Sequence, residues 1–119
     1  MVTQTLSSLN LSANEAQAVR EFLVTIQQAY GEKILHTALF GSKARGDSTL
    51  YSDIDILLIV TDDHWKFQEA IIAIGSDIGL KYDILLDLRI ISDTRWKYMA
   101  DIQAGLYRNI SQDAISLAV

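Results

Sequence analysis

The sequence predicts an α/β domain, a small mixed β-sheet of three to four strands flanked by helices. Two observations predict it. Three apolar runs, over 34–40, 52–60 and 82–91, alternate with segments whose apolar residues recur at helical spacing. The middle run is apolar without alternation in its second half, which marks a strand buried on both faces. With 119 residues, half of them hydrophobic, the chain is expected to form one domain over 11–119. Residues 1–10 are polar and aperiodic and read as a flexible lead-in.

Each element has its own local cause. Ser12-Ala13-Asn14-Glu15 is a capping box, in which Ser12 closes the backbone donors of a new helix and Glu15 reaches back. Ala16, Val19, Phe22, Leu23, Ile26 and Tyr30 then form its apolar stripe, and Gly31 is the stop. Ile34 to Phe40 reads as a strand, Gly41 to Ser48 as a turn with a short helix, and Ser52 to Val60 as the second strand. Asp62 or Asp63 can cap a helix carrying Phe67, Ala70, Ile71, Ile74 and Ile78, with Gly79 ending it. Tyr82 to Ile91 is the expected third strand. Ser92 caps a further helix with Trp96, Met99 and Ile102, ended by Gly105, and the tail from Leu106 is partly helical. No repeat or low-complexity stretch breaks this order.

Composition narrows the function classes. A net charge of −5 argues against a basic face for gripping DNA or RNA, so nucleic acid is not the expected partner. The chain has no cysteine, which removes disulfides and thiolate metal sites and fits the cytoplasm. No apolar run has the length of a membrane span, and the N-terminus lacks the basic-then-apolar pattern of a secretion signal.

Chemistry concentrates in 39–60. Leu39-Phe40-Gly41-Ser42 ends the first strand, and after ten intervening residues Asp53-Ile54-Asp55 opens the second. Side chains at i and i+2 of a strand share a face, so Asp53 and Asp55 can hold the same or adjacent cations. Clustered carboxylates repel one another, and a hard cation such as Mg²⁺ relieves that cost. Two such ions can stabilise the attacking and leaving oxygens of a displacement at phosphorus. Gly41 lets the backbone approach a phosphate, and Ser42 offers a hydroxyl and an amide. Lys43 and Arg45 stand beside it as further cationic contacts.

One site built from both segments needs the first two strands antiparallel. The helical crossover between the second and third strands makes those two parallel. The start of the third strand then lies beside Asp53 and Asp55, and Asp83 sits there at matching depth. Asp87 is four residues further along the same face, roughly 13 Å away, too far to share one metal pair with Asp83. Depth favours Asp83 and leaves Asp87 to pair with Arg89 or face water.

The run Gly41-Ser42-Lys43-Ala44-Arg45-Gly46-Asp47-Ser48 with Ser52-Asp53-Ile54-Asp55-Ile56-Leu57-Leu58 resembles the signature of the DNA polymerase beta-like nucleotidyltransferases, and more narrowly of their small, stand-alone minimal members. Lys81-Tyr82-Asp83-Ile84-Leu85 and Leu106-Tyr107-Arg108-Asn109-Ile110 resemble later segments of that group. The resemblance implies a nucleotidyltransferase fold with Asp53, Asp55 and Asp83 as catalytic metal ligands. It also implies Gly41 and Ser42 holding the triphosphate, two Mg²⁺ ions, and ATP as donor. It further implies a HEPN-domain toxin as partner, with this chain as the antitoxin that transfers AMP to a toxin tyrosine. A non-catalytic antitoxin that covers its toxin, or transfer to a small molecule with a homo-oligomer completing the pocket, are the competing expectations. His36, His64, Trp65, Phe67, Trp96, Arg95, Lys97 and Arg108 read as ordinary core or surface residues.

Overall fold

A computed structural model describes residues 2–5, 9–47 and 52–118. Ser48, at the end of the expected turn, and parts of the expected lead-in lie outside the described residues. The chain forms strand β1 (Val2–Thr5), helix α1 (Ala13–Tyr30), a 3₁₀ turn (Gly31–Lys33), β2 (Ile34–Phe40), α2 (Ser42–Arg45), β3 (Ile54–Val60), α3 (Trp65–Tyr82), β4 (Leu86–Ser92), α4 (Asp93–Asp101), α5 (Gly105–Asp113) and β5 (Ile115–Ala118). The strands form one mixed sheet in the order β1-β5-β2-β3-β4.

The directions follow the chemical expectation. β2 pairs antiparallel with β3, placing Phe40 opposite Asp55. β3 pairs parallel with β4, placing Asp55 opposite Asp87. The sheet has five strands rather than three to four. Val2–Thr5, within the expected loose lead-in, pairs parallel with Ile115–Ala118 at the edge beyond β2.

β3 is the central strand because both its faces are apolar. Ile54, Ile56, Leu58 and Val60 are buried against Ala18, Val19, Phe22, Leu23 and Ile26 of α1 and Phe67, Ile71 and Ile78 of α3. Leu57 and Ile59 point the other way and pack with Ala38, Ile91 and Ile110, alongside Phe40, Trp96 and Met99. Helices α1 and α3 therefore cover one face, and α4 and α5 the other. By the two-residue period of a strand, Asp55 shares the α4/α5 face with Leu57, while Asp53 stands just before the strand. Asp87 and Arg89 share it with Ile91.

The capping box forms as expected, with the Glu15 N–H donating to Ser12 Oγ at 3.1 Å and the Ser12 N–H to Glu15 Oε1 at 2.8 Å. His64 caps α3, its Nδ1 accepting from the Lys66 N–H at 3.2 Å. His36 Nε2 lies 3.1 Å from Ser116 Oγ, and burial lowers the His36 pKa.

The α3–β4 connection departs from expectation. The helix does not stop at Gly79 but runs to Tyr82, and the strand starts at Leu86 rather than Tyr82. Asp83 is the helix cap, in the left-handed conformation at φ 55°, with its N–H donating to the Gly79 carbonyl. Gly79 serves close approach instead: a Cβ there would lie 2.7 Å from the Ile84 carbonyl oxygen as the chain folds back. Gly105 opens α5 rather than closing α4.

Candidate active site

The site grows from the end of β2. Phe40 is the last residue of that strand, and the next, Gly41, takes φ 74°, ψ −156°. This backbone region is essentially restricted to glycine. The reason for glycine is also steric: a Cβ on Gly41 would sit 2.2 Å from Asp55 Oδ2. The turn and the carboxylate are thus in direct contact. Ser42 starts the single turn of α2, whose first hydrogen bonds run from the Ala44 and Arg45 amides back to the Gly41 carbonyl at 3.1 and 3.0 Å.

The carboxylates come from the adjoining strands. Asp53 is exposed just before β3, while Asp55 and Asp87 are half-buried. Asp55 is pushed up to about 6 from an ordinary 3.8, first by burial, then by its hydrogen bond and charge repulsion with Asp87, then by Asp53, with Arg89 opposing. A hydrogen bond between two carboxyl groups needs a proton between them. The site at neutral pH is therefore short of positive charge, and Asp53, Asp55 and Asp87 are the groups that feel it.

Asp83 shares a cleft with Asp53 but does not stand opposite Asp55. The depth argument that set it beside Asp55 required the strand to begin at Tyr82. With β4 starting at Leu86, the residue opposite Asp55 is Asp87. Asp83 is exposed and lines a cleft of about 370 Å³ with Glu15, Ser52, Asp53, Gly79, Leu80, Ile84 and Leu85. A second cleft, of about 500 Å³, opens on the Gly41 side and is lined by Phe40, Arg45, Arg89, Leu106, Asn109, Ile110, Gln112 and Asp113.

The two expected cationic contacts behave differently. Lys43 is buried, its Nζ 2.7 Å from Glu15 Oε2. Burial alone would raise the Glu15 pKa, but hydrogen bonds from Lys43 and the Ser12 backbone, with the Lys43 charge, hold it below the usual value. Lys43 thus ties the turn after Gly41 to the first turn of α1. Arg45 is half-exposed and faces the second cleft, its guanidinium held by Asp47 at 3.0 Å and Asp113 at 2.9 Å. Arg89, in the same cleft, carries charge toward Asp55 and has no counterpart in the sequence reading of the site. Its signal was its two-residue offset from Asp87.

Oxygen donors from three aspartates are the donor set of a hard divalent cation. Among the described residues no three such groups already converge as a formed metal site. The residues nonetheless fit a cation, since Asp55 stands opposite Asp87 and a cation would relieve the repulsion from Asp87 and Asp53 that raises its carboxyl.

The nucleotidyltransferase domain profile matches residues 19–115. The chain belongs to the nucleotidyltransferase domain family. This nucleotidyltransferase is 31% identical over 100 residues to the "Putative protein adenylyltransferase MJ0604" of Methanocaldococcus jannaschii, covering 84% of this chain and 94% of that one. It is 39% identical over 71 residues to a second protein of that organism, "Putative protein adenylyltransferase MJ0141", covering 59% of this chain and 72% of the relative. Two solved structures share the fold of the nucleotidyltransferase. One is a "putative nucleotidyltransferase from Sulfolobus solfataricus", with TM-score 0.50 and 18% identity, covering 84% of this chain and 76% of that chain. The other belongs to a toxin-antitoxin with AMP-PNP, with TM-score 0.51 and 17% identity, covering 81% of this chain and 69% of that chain. Among the described residues, no helix of the nucleotidyltransferase is long and apolar enough to cross a membrane.

Proposed function

We propose that this enzyme is a Mg²⁺-dependent protein adenylyltransferase of the cytoplasm. It moves AMP from ATP to a tyrosine hydroxyl of a HEPN-domain toxin and so acts as the antitoxin. The observation that carries the reading is the pairing of Asp55 with Asp87, with Asp53 close by and the Gly41 turn pressed against Asp55. The names of the M. jannaschii relatives and the toxin-antitoxin neighbour support the choice of a protein as recipient.

Asp53, Asp55 and Asp87 would hold the cation, and Asp87 replaces Asp83 in this set because it is the register mate of Asp55. Bound there, Mg²⁺ supplies charge neutralisation at the phosphates and at the attacking oxygen. Gly41 gives the triphosphate a backbone it can approach closely, Ser42 donates its hydroxyl, and Arg45 and Arg89 offset the triphosphate charge from the second cleft. Lys43 supports the turn from beneath through Glu15 rather than touching phosphate. The tyrosine oxygen attacks the α-phosphorus and its proton passes to Asp87. The bond to the bridging oxygen breaks, and pyrophosphate leaves on the Arg45 side.

The test is transfer itself. The purified chain, Mg²⁺, α-labelled ATP and a purified HEPN-domain protein are expected to give a labelled HEPN protein. The label is expected to be lost on Asp53→Asn and on Tyr→Phe at the labelled position. No labelling, or labelling undiminished by Asp53→Asn, would falsify the assignment.

A further inference from the structure

β4 is an edge strand, and among the described residues no strand pairs beyond it. The Leu85 carbonyl accepts from the Ile54 amide at 3.0 Å, and Leu86 stands opposite Ile54. A parallel ladder with that start turns the N–H and C=O groups of Asp87 and Arg89 toward β3 and those of Leu86, Leu88 and Ile90 outward. Protein edges are blunted by short strands, bulges, proline or lysine. β4 is seven residues long, runs beside β3 without a break in register, and contains neither proline nor lysine. A groove of about 250 Å³ follows its open side, lined by Leu88 and Ile90, by Gln68 of α3, and by Arg95, Met99 and Leu106 of α4 and α5. Ile72, one helical turn beyond Gln68, is 48% exposed, and Leu106 is 42% exposed. Both helix layers thus carry apolar side chains to the open edge.

The charges on this strand are complementary to themselves. Two copies related by a two-fold axis pair their β4 strands antiparallel. With the axis near the middle of the strand, three registers bring outward-facing groups together. Centred on Asp87, the axis sets Asp87 against the partner's Asp87. Centred on Arg89, it sets Arg89 against the partner's Arg89. Like charges directly opposite destabilise both registers. Centred on Leu88, it bonds Leu88 to the partner's Leu88 and Leu86 to the partner's Ile90, and it sets Asp87 against the partner's Arg89 twice. Those charged pairs fall at the positions between hydrogen bonds, where facing side chains come closest. Arg89 is exposed and, among the described residues, closes no ion pair within its own chain.

We propose that the open edge of β4 is an interface for a second copy of this chain, paired antiparallel about Leu88 so that two five-stranded sheets become one. The charge pattern chooses both the occupant and the register, since Asp87 and Arg89 each find their opposite on the partner. Ile72 and Leu106 are covered as the helix layers of the two copies meet. A carboxylate has lone pairs on both oxygens, so Asp87 can face the partner's Arg89 on its outer side and a cation on its Asp55 side. The candidate active sites of the two copies then adjoin the dimer axis.

The test is sedimentation equilibrium on the full chain without Mg²⁺ or nucleotide, joined to hydrogen exchange at the β4 amides. The parent is expected to dimerise in the micromolar range, with the Leu86, Leu88 and Ile90 amides protected in the dimer and open on dilution. Arg89→Glu is expected to raise the dimer dissociation constant about thirtyfold, because two attractive pairs become repulsive. Asp87→Lys is expected to do the same. The double variant Asp87→Lys, Arg89→Glu is expected to return to within about threefold of the parent, since its pairs are only reversed. Damage to the fold would accumulate in the double variant instead of cancelling. Leu86→Pro removes one outward donor per chain at the first residue of an edge strand, where proline is tolerated, and is expected to weaken the dimer about tenfold. A parent that stays monomeric at millimolar concentration, or a double variant as weak as either single one, overturns the interface. So does protection of the three amides only after a HEPN-domain protein is added, which would give the edge to that partner. Failure of the dimer to bind Mn²⁺ with AMP-PNP would overturn the cation reading and leave the β4 pairing standing.

Discussion

Asp55→Asn is expected to cripple transfer and, at the same time, to make the cation-free protein more stable at pH 8. Both effects come from one cause. The Asp55 carboxyl is raised to about 6 by burial, by Asp87 and by Asp53. A carboxyl whose folded pKa lies above its unfolded value binds its proton more tightly in the folded state. Its contribution to stability is complete below about pH 4 and is lost as pH rises through about 6. Asparagine keeps the shape and the hydrogen bond to Asp87 without the charge. A shift of this size on a fully buried group would correspond to about 3 kcal/mol. Asp55 is only half-buried, and solvent screening reduces the expected gain to about 1 kcal/mol, or about 4 °C in Tm. The gain is expected to vanish at pH 4. Transfer is expected to fall about 10³-fold, the scale of losing a group that stabilises charge in the transition state. Thermal unfolding at pH 4 and pH 8 with an activity assay at pH 8 checks both halves. A variant less stable than the parent at pH 8 would contradict the electrostatic picture.

Gly41→Ala is expected to cost about 3 kcal/mol and most of the activity, because strain and collision add. The backbone at φ 74°, ψ −156° is one that alanine avoids, and its methyl would fall 2.2 Å from Asp55 Oδ2. Either the turn rotates away or the carboxylate does, and each movement spoils a different half of the site. A misplacement of about 1 Å can reduce catalysis about 10²-fold. Gly46→Ala is the control. Gly46 also has a positive φ, 84°, but a Cβ there meets only the Asn10 side-chain amide at 2.9 Å, which can swing aside. That variant is expected to lose about 1 kcal/mol and to keep its activity. Urea unfolding and initial rates on the two variants separate collision with Asp55 from left-handed strain.

The parts of this molecule written in local sequence were readable, and those set by long-range pairing were not. The capping box at Ser12 and Glu15 and the two-faced burial of β3 each depend on residues a few positions apart. Strand directions were also accessible, since the crossover length and the need to bring Gly41 to Asp55 left one arrangement. β1 and β5 are four residues each, without alternation, and join opposite ends of the chain, so nothing local announces them. The start of β4 was obscured because Tyr82, Ile84 and Leu85 are as apolar as a strand, while the left-handed cap at Asp83 is a backbone event. That displacement moved the residue facing Asp55 by two repeats of the pleat, from Asp83 to Asp87. Lys43 looked free beside Ser42 because its neutralising partner, Glu15, is remote in sequence and belongs to another helix.

The central claim is that Asp53, Asp55 and Asp87 share a cation with a triphosphate seated on the Gly41 turn. Crystals of the chain grown with Mn²⁺ and AMP-PNP test it most directly through the anomalous signal of the metal. The expected map has manganese within about 2.2 Å of oxygens from Asp55 and Asp87, with Asp53 completing the set and the phosphates running toward Ser42 and Arg45. Manganese held by Asp83, or a triphosphate lying in the cleft beside Asp83, would contradict it.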